Sequence, residues 1–145
     1  MTGQDLTDDS HVVRYAKPTL VREDGSVGGE AFQLRLQESS LSINWLECFK
    51  GFSKRQQLAE VRRLSRLQMR RNGRLAELHV GNTKQYVLGE LDSLRFVHKP
   101  LAAEGRYEAD PSHSEISGLP PADSPEAELI GDVIAECIQA VYPAW

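Results

Sequence analysis

The chain has 145 residues, 40% of them hydrophobic and 26% charged, with a formal net charge of -4. That is the length of one ordinary domain, and those fractions exclude global disorder. No apolar run approaches the ~20 residues of a bilayer span, and the start, MTGQDLTDDSH, is acidic where a secretory signal would be basic and then apolar, so a cytoplasmic protein with no membrane partner is expected.

Residues 1–10 are polar and are expected to form a flexible start, followed by a single α+β domain over 11–145. HVVRYA (11–16) predicts a strand that ends before Pro18. REDGSVGGE holds Asp24-Gly25 and Gly28-Gly29, which suit a tight turn. AFQLRLQ then alternates Phe32, Leu34 and Leu36 against Gln33, Arg35 and Gln37, predicting a half-buried strand paired with the first. SSLSINWLECFKGF predicts a short strand or turn leading into a helical turn.

From Ser53, Leu58, Val61, Leu64 and Leu67 fall on one half of a helical wheel, with Arg55, Arg62, Arg63, Arg66, Arg70 and Arg74 on the other. The result is a basic amphipathic helix, expected to stop at Asn72-Gly73. RLAELHVG, KQYVLGEL and LRFVHKP read as three antiparallel strands. Residues 102–124, AAEGRYEADPSHSEISGLPPADS, read as a long polar surface loop. The last element is a core helix with Ser124 as N-cap and Pro125 at N1, an apolar face from Leu129 to Val141, and Pro143 as its end. The fold class expected is α+β: a small, mainly antiparallel sheet packed by a C-terminal helix, with the basic helix on its flank.

Between Ser53 and Arg74, eight basic residues (the six arginines named, Lys54 and Arg71) face the single acid Glu60. That stretch carries +7 and leaves -11 on the rest of a chain that totals -4. So many cations without i to i+4 acidic partners call for an acidic cover: a partner protein, the phosphate backbone of RNA or DNA, or the acidic remainder of the chain itself. The six arginines are the partner-binding candidates. Cys48 and Cys137 lack ligand spacing, so reduced buried thiols are expected, with no metal and no cofactor.

Two catalytic readings compete with binding. His98, near Arg95 and Lys99 at a predicted strand end, and His113 in DPSHSEI would cleave RNA without metal as base and acid, with Glu115 beside them. Alternatively His11, Arg14, Ser42, Asn44 and Glu115 follow, loosely, the order of groups in a nicotinamide-dinucleotide site of the ADP-ribosyltransferase kind. Against both, Asp110-Pro111, Ser112 and Ser114 suit a self-bonded turn that His113 tethers to the domain. At LSINWLECF and DPSHSEISGLP the chain resembles a set of short, uncharacterised bacterial proteins carrying LS-[IV]-NWLE early and [DN]-P-[SA]-H-x-x-I-x-G late. The resemblance runs roughly from His11 to the end. It implies that Asn44, Trp45, Glu47, His98 and His113 share a purpose, and implies no activity or cofactor. The expectation is a small interaction subunit of a bacterial multi-component system, docking through its basic helix, with the ribonuclease as alternative.

Overall fold

A computed structural model describes residues 3–145. Seven strands form one antiparallel sheet: β1 (Gln4–Asp5), β2 (His11–Ala16), β3 (Leu41–Trp45), β4 (Arg74–His79), β5 (Arg95–His98), β6 (His113–Ser117) and β7 (Ala140–Pro143). Their order across the sheet is β1-β5-β6-β3-β2-β4-β7. Three helices accompany them: α1 (Lys54–Leu64), α2 (Val80–Val87) and α3 (Glu126–Ala135). The class is α+β, and no helix of the described residues is long and apolar enough to cross a membrane.

Alternation along the strands divides the core in two. Val12, Ala16, Leu41, Ile43, Ala76, Leu78, Phe96 and Ile116 project to one face, where Ile130 and Ile134 of α3, Val80 and Val87 of α2 and the 3-10 turn Gly29–Phe32 cover them. Val13 and Leu75 project to the other face, under Leu58, Val61 and Leu64 of α1 and Leu46 and Phe49. This second layer lies over β2 and β4. The β3, β6 and β5 half of the same face carries Ser42, Asn44, His113 and Glu115, exposed or half-buried. The turn Gly29–Phe32 sits against α3 so closely that a Cβ on Gly131 would lie 2.6 Å from the Gly29 carbonyl oxygen, which leaves room for glycine alone.

Several elements differ from the sequence expectation, each for a physical reason. The start is tied down over Gln4–Asp5, which pairs with β5, and Leu6 is buried. AFQLRLQ is not a strand: Phe32 and Leu34 are buried under the α3 layer while Leu36 is 82% exposed, and β2 pairs with β3 and β4 instead. The first half of KQYVLGEL falls in α2, because Val80, Thr83 and Val87 meet the core at helical spacing and the His79 ring accepts a bond from the Asn82 amide at 3.0 Å. The long loop of 102–124 contains β6, an interior strand of the sheet. Finally, α3 ends at Ala135, the Ser124 hydroxyl donates to the Pro121 carbonyl rather than capping the helix, and Val141 belongs to β7.

The basic helix is shorter than expected. It begins as the sequence indicates, with a capping box in which the Ser53 hydroxyl accepts from the Gln56 amide at 3.2 Å and the Gln56 side chain accepts from the Ser53 amide at 2.8 Å. It stops at Leu64 rather than at Asn72-Gly73, since the Ser65 hydroxyl accepts from the Leu67 amide at 3.1 Å and draws the chain out of the helical path. Arg66, Leu67, Arg70, Arg71 and Arg74 therefore leave the helix. Arg74 opens β4 instead, with Nη1 bonded to the Gly73 carbonyl.

Candidate functional site

The two quoted motifs meet at one end of the sheet, and what they build there is a self-bonded frame. Asp110 and Ser112 are 3% and 0% exposed. One oxygen of Asp110 accepts from the Ser112 amide at 3.0 Å and hydroxyl at 2.7 Å, and the other accepts from the Asn44 amide at 3.2 Å. Asn44 donates to the Ser112 hydroxyl as well, at 2.9 Å. Glu47 accepts from the His11 amide at 2.7 Å and lies 2.6 Å from its Nδ1. The Trp45 and His98 rings meet edge to face at 5.1 Å.

The histidine pair does not form. His98 pairs with Ser114 across β5 and β6, so the preceding residue, His113, projects from the opposite face. Each imidazole is spent on the backbone: His98 Nε2 lies 2.7 Å from the Pro111 carbonyl and His113 Nδ1 lies 2.8 Å from that of Lys99. His113 Nε2 also reaches the Ser42 hydroxyl at 3.3 Å. Glu115 sits with Lys99 at 3.2 Å and accepts from the Ser40 hydroxyl at 2.9 Å. The dinucleotide set is likewise divided. Ser42 pairs with Glu115 and Asn44 with His113 on one face, whereas Arg14 lies on the Val12 face and His11 is held by Glu47.

The arginines form a more open surface, partly covered by the chain itself. Leu101–Asp110 folds back as a small hairpin whose tip docks on α1 and the turn after it: Glu108 pairs with Arg63, and Arg66 donates to the Ala102 and Glu108 carbonyls while lying 5.5 Å from the Tyr107 ring centroid. Arg63 also pairs with Glu60 at 2.5 Å. These carboxylates raise the Arg63 guanidinium above its ordinary value, Glu60 more than Glu108. Arg62, half-buried, donates to the Pro143 carbonyl at 2.6 Å and forms no ion pair among the described residues. Arg55, Arg70 and Arg71 are exposed.

Beside Arg62 and Arg63 lies an open groove of about 600 Å³, walled by Ala59, Leu67, Met69, Ala144 and Trp145. Leu67 is 54% and Trp145 78% exposed. An apolar trough with arginines at its lip is the chemistry of a protein-docking surface. Neither a protein-family model, nor a curated protein, nor a solved structure matches the chain.

Sequence reasoning placed the arginines on the surface and missed the groove, because Leu67 continues the helical apolar stripe on paper and lies past the helix end in space. It also missed Glu77, a carboxylate 4% exposed that accepts from Lys54 Nζ at 2.6 Å and the Tyr142 hydroxyl at 2.7 Å. Burial, then the bond to Glu77, pushes Tyr142 up to about 12 from an ordinary 10.0. Folded chain thus keeps this proton where unfolded chain has lost it. The stabilisation is complete below the unfolded value and is lost as pH rises towards 12, so stability should fall across that window. Tyr142→Phe should flatten the fall, as measured by urea unfolding at stepped pH; an unchanged slope would contradict the assignment.

Proposed function

We propose that this protein is an interaction subunit of a multi-component system that docks an acidic, partly apolar segment of a partner protein onto the α1 groove. The observation that carries the reading is the apolar trough with Arg62 and Arg63 at its lip. The chain's own hairpin offers a precedent, since Glu108 and Tyr107 already engage Arg63 and Arg66 in the way a partner's acid and aromatic would. Protein is favoured over nucleic acid because Glu60, Glu104 and Glu108 lie among the arginines and would repel phosphates, whereas a polypeptide can place its acids between them. A second reading, the ribonuclease, is less favoured because His98 and His113 project from opposite faces of the sheet.

The test is a photo-crosslinking residue at Leu67, introduced into the tagged full chain and irradiated in lysate with and without nuclease treatment. One dominant protein adduct, crosslinked through an acid-rich segment, is expected. Adducts to RNA that disappear with nuclease would overturn the reading.

A further inference from the structure

Strands β2 and β3 pair only at Val12 with Trp45 and at Val13 with Asn44. Beyond that point β2 stays with β4 while β3 stays with β6, so the sheet splays where Arg14 would otherwise face Ile43. A cleft of about 300 Å³ opens there, with Arg14, Lys17, Arg35 and Arg70 in its wall against the single acid Glu38. Arg14 is anchored rather than neutralised. Its Nε donates to the Ala31 carbonyl and its Nη1 to the Ser42 carbonyl, both at 2.9 Å, and it forms no ion pair among the described residues.

Those two bonds fix the plane of the guanidinium, and among the described residues no acceptor takes Nη2. Burial pushes Arg14 down to about 10, which Glu38 offsets in part and Arg35 reinforces, so the cationic form is poorly solvated where it stands. A fork of this kind is best completed by an anion with several acceptor oxygens.

We infer that the cleft between the splayed strands β2 and β3 binds a small phosphate-bearing ligand, with Arg14 and Arg35 on the phosphate and Glu38 accepting from a ligand hydroxyl. Lys17 and Arg70 add charge at the rim, and Tyr15 and Leu20 supply a less polar wall for the organic part. The cleft adjoins the partner groove, sharing Leu67 and Gln68 with it, while its charged groups are its own. A cleft of this volume suits a sugar phosphate or mononucleotide and is small for a polymer.

Calorimetric titration of the full chain with pyrophosphate, and separately with ribose 5-phosphate, tests this. One saturable site per chain is expected for each, weakened at least about tenfold in Arg35→Gln, as the loss of a charge-assisted contact requires. Arg14→Gln should weaken it further if the variant folds; Arg35, exposed on a loop, keeps the test decisive if it does not. Crosslinking from Trp145, which lines the partner groove and not this cleft, should be unchanged in Arg35→Gln, and that separates failure here from failure of the docking reading. Absence of saturable binding, affinity unaffected by Arg35→Gln, or binding of a 12-nucleotide strand alone would overturn the inference.

Discussion

Replacing Asp110 with alanine should lower the free energy of unfolding by about 3 kcal/mol, because it strands several buried polar groups at ~1–3 kcal/mol each. The Ser112 amide and hydroxyl lose their acceptor, and the Asn44 side chain keeps one of its two partners. Ser112 is fully buried, so water cannot easily replace the carboxylate. For a domain of this size that corresponds to a fall in Tm of roughly 10 °C. Asp110→Asn, which keeps one acceptor oxygen, should lose about half as much. A loop built for catalysis would respond differently, losing activity with stability unchanged. Thermal and urea unfolding of the two variants check the prediction, and a loss below ~0.5 kcal/mol for the alanine variant, the size of an ordinary surface change, would contradict the frame.

The double reversal Arg62→Glu with Arg63→Glu should weaken partner binding by about 100-fold or more. Arg62 is pinned to the Pro143 carbonyl and holds its charge at the edge of an apolar groove, where a facing carboxylate is partly desolvated and its loss or repulsion is worth ~2–5 kcal/mol. Arg63 is exposed and already shared with Glu60 and Glu108, so its part in the effect is the smaller. Stability should change little by comparison. Equilibrium binding of the crosslinked partner, once purified, checks this at two salt concentrations, and an affinity within about threefold of the parent chain would contradict it.

How far these features were legible in the sequence depends on what each signal rests on. The strands HVVRYA and RFVH were readable because β-branched and aromatic residues recur in short runs, RLAELH from its alternation, LSINW only as a strand or turn, and the start of α1 from Ser53. β6 was hidden because one of its core positions is Ser114, 0% exposed, whose hydroxyl is satisfied by the Ser112 carbonyl at 3.1 Å; a polar residue that bonds locally leaves no hydrophobic alternation to see. AFQLRLQ misled for the converse reason, since alternation records polarity and cannot say whether the buried side chains meet a sheet partner or a helix.

The candidate site was legible in charge and not in shape. The arginines stand out in the sequence, but the arrangement around them depends on a hairpin some 40 residues later, as the bonds from Arg63 to Glu108 and from Arg66 to the Glu108 carbonyl show. Likewise the sequence singled out Asn44, Glu47, His98 and His113 without saying what they do. Their hydrogen bonds to the chain's own backbone and side chains assign them to holding the sheet end together.

The most direct test of the docking surface is amide hydrogen exchange on the full chain, alone and bound to the partner captured at Leu67. Protection concentrated in Ala59–Met69 and at Ala144 and Trp145 is the predicted result. Protection confined to the exposed polar half of the sheet, around Ser42, His113 and Glu115, with the α1 groove unchanged, would contradict it.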